Sequence, residues 1–295
     1  MRDESVTNAR EKRCEEWFQH RIAIAATMHQ KERAIAPILE PALDIQIRVP
    51  EQFDTDAFGT FTREIKRPGD QLETARRKAL KALEITGADL AIASEGSFAP
   101  HPAFPMLPCN RELVVLIDVA HDLEIIGEFI STQTNFSHRS VENFDQAKEF
   151  AKKIGFPDHG LIVSHDPDDS RKIKGIRDLD QLKEAIETTL SKSTTGKIHL
   201  ETDMRAMYNP TRMSAIAQAT QNLLSTIQQQ CSNCGTPGFQ LIDRQAGLPC
   251  GWCGSPTDQT LAQIYACKKC GYQQTKLYPD GLQNADPMYC QFCNP

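Results

Sequence analysis

The sequence predicts an α/β body, a mixed or largely parallel sheet covered by helices, followed by a small C-terminal module built on cysteine. Two observations predict it. Strand-like and helix-like segments alternate from Met1 to Gln228, the pattern of a sheet with helices on both faces. Eight of the ten cysteines then crowd between Cys231 and Cys293. A chain of 295 residues with 40% hydrophobic content suggests about two domains at roughly 150 residues each. The boundary falls at the QQQ that precedes Cys231, giving a body over 1–228 and a module over 229–295.

The elements read as follows. After a polar, mixed-charge helical leader, RIAIAATM has the apolar density of a buried strand, and KERAIAPILEPAL begins a helix interrupted by Pro37. DIQIRVP alternates as a strand does. FDTDAFGTFTREIKRPGD is a punctuated loop, and QLETARRKALKALEITG is an amphipathic helix closed by Gly87. ADLAIASEGSF is a strand running into a turn, HPAFPMLPCN an irregular connection, and RELVVLIDVAHDLEIIGEFI two strands joined near Ala120 to Leu123. The alternation continues through helix SVENFDQAKEFAKKIG, strand GLIVSH, helix DLDQLKEAIETTLSKS, strand KIHLETD and the closing helix after Pro210.

Charge and targeting signals narrow the function. A formal net charge of −6 gives no global attraction to nucleic acid or an anionic membrane. No run approaches the roughly 18 apolar residues of a membrane span, and the polar start carries no signal-peptide core, so a cytoplasmic address is expected. In that reducing compartment cysteine clusters imply metal rather than disulfides.

The tail carries four Cys-x-x-Cys pairs: Cys231 and Cys234, Cys250 and Cys253, Cys267 and Cys270, Cys290 and Cys293. Each pair offers two thiolates from one tight turn, and two turns complete a four-sulfur zinc site. The segments between successive pairs, 235–249, 254–266 and 271–289, are each long enough for a short hairpin of the zinc-ribbon type. We therefore expect a double zinc ribbon holding two structural Zn2+ ions, because a site closed by four cysteines leaves no position for a catalytic water. Sequential pairing is preferred for its short loop closures, with a nested arrangement as the alternative. Four basic and four acidic side chains between Cys231 and Pro295, with the thiolates adding negative charge, disfavour nucleic acid. Contact with a protein partner through the aromatic residues of this tail is expected instead.

Candidate chemistry in the body lies at strand ends, where α/β proteins gather ligands. Thr27, His29 and Lys31 follow the first strand and suit an anion, a plain helix start being the simpler reading. Glu73 on the second helix and Glu95, beside Ser94 and Gly96 at a strand end, form a carboxylate pair able to hold Mg2+. Arg205, Thr211 and Arg212 flank the start of the last helix as a second anion site, against the simpler reading that Asn209 caps this helix and Arg205 pairs with Asp203. His101, His159 and His165 with Asp166 read as ordinary loop residues, and Cys14 and Cys109 as unreactive thiols.

Thr27 and Lys31 after a strand, ETARRKA from Glu73 to Ala79, the Glu95-Gly96 strand end and Ser137-His138-Arg139 resemble the inosine and xanthosine triphosphate pyrophosphatase superfamily and its non-canonical purine phosphatase relatives. The resemblance covers roughly residues 20 to 150; 151–228 would add further α/β units. It implies a pyrophosphatase-like fold and Mg2+-dependent hydrolysis of a non-standard nucleoside triphosphate. Lys31 would contact phosphate, Glu73 and Glu95 would hold the metal, and Arg139, Arg205 and Arg212 would bind the remaining charge or the base. The whole chain with its cysteine tail also resembles a bacterial family of unknown function. The expected ligand is a phosphorylated small molecule or nucleotide; the alternative is a non-catalytic sensor or interaction protein. An oligomer is compatible with the sequence.

Overall fold

The structure, a computed structural model, describes residues 16–51, 53–55, 69–101, 104–169 and 171–294. Most of the helical leader, up to residue 15, and most of the loop around Phe58 lie outside the described residues. Phe18–Leu224 forms one compact unit, and Ser225–Pro295 belongs to a second.

The body holds two sheets. The first has strand order β2-β1-β3-β4-β5, formed by Gln46–Arg48, Ile22–Ala25, Leu90–Pro100, Pro108–Asp118 and Leu123–Ser131 in that order. β1, β2 and β3 run parallel, while β4 and β5 extend the sheet as an antiparallel meander. Helix α1 (Glu32–Leu43) links β1 to β2, and α2 (Gln71–Thr86) precedes β3. The chain leaves β1 for β2 on one side and returns to β3 on the other, so β1 is where the strand order reverses. Side chains alternate across this sheet. Ala91, Ala93, Val115 and Ile117 face α2 and pack with Ala75, Ala79, Ala82 and Leu83. The opposite parity faces α5 (Pro210–Gln228). There Gly127 of β5 lets the helix backbone approach so closely that a Cβ would lie 2.6 Å from the Leu223 Cα.

The second sheet, order β6-β9-β7-β8, is formed by His138–Val141, Ile198–Thr202, Leu161–Ser164 and Ile173–Ile176 and is antiparallel throughout. Helices α3 (Phe144–Ile154) and α4 (Leu179–Ser191) cover one face over Val141, Leu161, Val163, Ile198 and Leu200. The mixed sheet and covering helices of the body agree with the sequence. The division into two sheets and the short strand β8 go beyond it, because β8, IKGI, has too few apolar residues to stand out among polar neighbours.

The C-terminal module is a three-stranded antiparallel meander of β10 (Gln240–Ala246), β11 (Thr260–Ala266) and β12 (Gln273–Leu277). At one end Cys231, Phe239 and Cys267 form a small buried cluster with Tyr265 packed against it; Leu248, Cys250, Ala262, Ala285 and Cys290 are buried as well. No helix among the described residues is long and apolar enough to cross a membrane.

Candidate metal clusters and a buried cationic crevice

The meander decides which cysteines meet. One strand separates each Cys-x-x-Cys pair from the next, so successive pairs sit at opposite ends of the sheet. Gln240 of β10 registers with Ala266 of β11, which registers with Gln273 of β12, and Ala246 registers with Thr260 at the far end. Accordingly Cys231, Cys234, Cys267 and Cys270 converge at one end, and Cys250, Cys253, Cys290 and Cys293 at the other. This corrects the sequential pairing favoured from sequence, and the nested one as well. Sequential pairing would bring together ligands at opposite ends of β10, about 20 Å apart. Loop closure grows too slowly with length to offset the loss of the β-ladder.

The geometry suits a tetrahedral metal. Sulfur separations are 3.7 Å for Cys231 to Cys270 and for Cys234 to Cys267. They are 3.8 Å for Cys250 to Cys293 and 3.6 Å for Cys253 to Cys290. Zinc–sulfur bonds of about 2.3 Å at tetrahedral angles require about 3.8 Å. Each cluster mixes thiols that ionise readily with others that do not. The Tyr272 backbone N–H lowers the Cys270 thiol to about 6, and the Ser255 hydroxyl lowers Cys253 to about 6. Burial pushes Cys267 up to about 12, and the Cys253 sulfur does the same to Cys293. Four sulfurs so close together give up their last protons to a cation that replaces them.

In the body, the candidates converge where β1 stops. Ala25 registers with Ile92, and the Ile92 carbonyl accepts from Ala26 N–H. Two residues further, the Ser94 carbonyl points to the same edge, beyond the end of β1. Lys31 Nζ donates to it at 2.6 Å, from a buried position. The turn that delivers Lys31 is tight: Thr27 Oγ1 accepts from His29 N–H, and Gln30 adopts φ 58°.

A buried ion pair flanks Ser94–Gly96 on each face of the sheet. On the α2 face Glu95 binds Lys78 Nζ, both nearly solvent-free. On the α5 face Arg212 Nε donates to Glu112 at 2.8 Å, and both side chains are 0% exposed. Gly96 registers with Glu112 and leaves this pair its room, since a Cβ there would lie 2.6 Å from Arg212 Nη2. Arg212 Nη1 also donates to the Met204 carbonyl at 2.5 Å. Burial together with Lys31, Arg212, Arg205 and Lys78 holds His29 neutral, its pKa lowered to about 3. Burial lowers Lys31 to about 7, with the Arg212 charge adding to the effect and Glu95 opposing it.

Thr27, His29, Lys31, Ser94, Glu95, Gly96 and Arg212 are thus neighbours around the carboxyl end of β1 and the middle of β3, with Glu95 on the α2 face of the sheet and Gly96 and Arg212 on the α5 face. β3 runs on to Pro100, so Ser94–Gly96 are not the strand end expected from the sequence. Glu73 does not join them. It lies on the side of α2 away from buried Gln71, Thr74 and Lys78, and pairs with Arg77 at 2.8 Å. The expected Glu73–Glu95 metal pair is therefore not formed, and the Lys78 ammonium occupies the Glu95 carboxylate. Ser137, His138 and Arg139 belong to the second sheet. The Ser137 carbonyl accepts from Thr202, the His138 ring lies 5.4 Å from that of His199, and exposed Arg139 pairs with Glu149. The simpler reading holds for Arg205, bound to Asp203 at 2.7 Å, and for Asn209, which accepts from Arg212 N–H. Thr211 Oγ1 contacts His159 at 2.9 Å. Strand-end reasoning misses Lys78 and Glu112, although each is a charge set among inward-facing apolar positions.

Among solved structures, protein VC0702 from Vibrio cholerae is similar at 9% identity with a TM-score of 0.31, over 70% of this chain and 93% of that one. None of the curated proteins matches. The family described as Domain of unknown function (DUF6671) matches residues 78–295, a span that takes in Lys78, Glu95, Glu112, Arg212 and all eight clustered cysteines, and the chain belongs to that family.

Proposed function

We propose that the body binds the phosphate group of a small molecule or nucleotide in the crevice beyond β1, while the C-terminal module is held by two structural zinc ions. One observation carries the reading. Lys31 is a buried ammonium whose hydrogen bond is to a backbone carbonyl and not to a carboxylate. Burying a charge is costly unless it is compensated, and a bound anion supplies the compensation. The buried Ser94 hydroxyl beside it makes no hydrogen bond among the described residues and is a ready donor. The crevice also sits where the strand order reverses, the usual ligand position in open α/β sheets. Binding is favoured over Mg2+-dependent hydrolysis because Glu95 is engaged by Lys78 and Glu73 points elsewhere. Pyrophosphate release from inosine or xanthosine triphosphate with Mg2+, lost in Glu95→Gln, would establish the stronger, pyrophosphatase-like reading.

Lys31→Met separates function from stability. We expect the variant to bind sulfate and pyrophosphate at least tenfold more weakly in calorimetry, yet to be more stable by about 1–2 kcal/mol, as when a strained functional group is removed. Unaltered pyrophosphate affinity in Lys31→Met would sink the proposal. The pH dependence has a definite sign. Unfolded Lys31 keeps its proton to about 10.5 and folded Lys31 loses it at about 7. Between these values the unfolded state binds more protons, so stability rises with pH, and Lys31→Met flattens that slope. Sulfate, dianionic throughout, will bind best below pH 7 and lose affinity as Lys31 is neutralised.

A further inference from the structure

The two ends of the C-terminal module differ in chemistry, and the alternate pairing creates that difference. The knuckles of the first cluster carry Ser232, Asn233, Lys268 and Lys269 between their ligands, whereas those of the second carry Gly251, Trp252, Gln291 and Phe292. Trp252 and Phe292 are 79% and 77% exposed, and Met288 and Leu282 on the same segments are exposed as well. Single exposed apolar residues are common. Here, however, two aromatic side chains stand on two knuckles whose sulfurs lie within 4.8 Å of one another, and neither can contribute much to packing at such exposure.

The segments that carry them are one-sided in charge, the basic residues Arg244 and Lys276 lying at the middle of the sheet, where both register with Gln263. From Gln245 to Ala266 and from Leu277 to Pro295 the sequence has no lysine, arginine or histidine, and has Asp258, Asp280 and Asp286, all exposed. A metal held by four thiolates adds about −2. Exposed aromatic faces set in negative potential favour cations, through cation–π contact and simple attraction, and repel phosphate backbones.

We propose that the second-cluster end of the module is a docking face for a partner protein's extended segment in which lysine or arginine alternates with apolar residues. The apolar residues would pack on Trp252, Phe292 and Met288, and the cations would meet the aspartates and ring faces. This surface is independent of the phosphate crevice.

The test uses the full-length, zinc-loaded chain labelled with 5-fluorotryptophan, whose two tryptophans, Trp17 and Trp252, give separate fluorine resonances. The probes are a short peptide alternating arginine with leucine, its glutamate-for-arginine counterpart, and an oligothymidylate. The Trp252 resonance is expected to move saturably with the arginine peptide alone, with affinity about tenfold lower in Asp258→Asn/Asp280→Asn. Trp252→Ala/Phe292→Ala should keep both zinc ions and the module's melting temperature while losing the peptide, now followed by calorimetry. Lys31→Met should bind the peptide normally, which keeps this proposal separable from the one above. A Trp252 response to the glutamate peptide or to the oligonucleotide of equal size, or no response to any probe, overturns the inference.

Discussion

Double cysteine variants will sort the eight ligands by alternate pairs. Cys231→Ser/Cys267→Ser should lose a single zinc and keep the other, and Cys250→Ser/Cys290→Ser should do the same, because each combination strikes one cluster. Cys231→Ser/Cys250→Ser should lose both. Sequential pairing predicts the reverse outcome, so zinc content by mass spectrometry or atomic absorption decides between them. The energetic consequence is large. The module's buried apolar set is small and includes Cys231, Cys250, Cys267 and Cys290 themselves, so metal binding would supply most of its folding free energy, on the order of 10 kcal/mol per site in small zinc domains. A strong chelator should therefore abolish the amide dispersion of residues 231–294 while leaving the body's Ile92, Val115 and Leu200 protected from exchange.

Arg212→Met should be the most damaging single substitution in the body. Both members of the Arg212–Glu112 pair are wholly buried, and removing one leaves the other charge uncompensated at a cost of about 3–5 kcal/mol. For a unit of this size that lowers Tm by about 10 °C. Replacing both, as Glu112→Met/Arg212→Met, should recover much of the loss, since a buried pair and a well-packed apolar substitute are often near equal in stability. A single substitution costing less than about 1 kcal/mol would show that the pair is solvated in solution. Two buried cations in one crevice then respond to replacement with opposite signs: Arg212, held by a carboxylate, stabilises the body, and Lys31, held by a carbonyl, does not.

Strands β1, β3, β4 and β5 are legible in the sequence because their apolar density has no competing reading, and α2 because its buried residues keep helical spacing up to Gly87. The four Cys-x-x-Cys pairs announce the metal clusters through ligand chemistry alone. Their partnership is not legible, since it depends on strand direction and length rather than on separation along the chain. Near the end of β1, Lys31 stands out by following a strand, whereas Ser94 and Glu95, read as a strand end, lie in the middle of β3, which continues to Pro100. The order of residues in a motif misplaces Glu73; the helical phase counted from Gln71 puts Lys78 inward and Glu73 outward. The same phase argument applied to RELVVLID places Glu112 with Val114 and Leu116, facing α5, and identifies the partner of Arg212.

Alternation of the cysteine pairs has a consequence during synthesis. When Cys253 has left the ribosome, the chain displays four cysteines that satisfy zinc's preference, yet belong to two different native clusters. A metal captured at that moment closes a non-native site over the segment 235–249 between the first two pairs. Only when β11 folds back on β10 does Cys267 reach Cys234, and the early complex must then exchange ligands. For a metal bound at these clusters, such an exchange would be a folding step that a module of two tandem sites would not need.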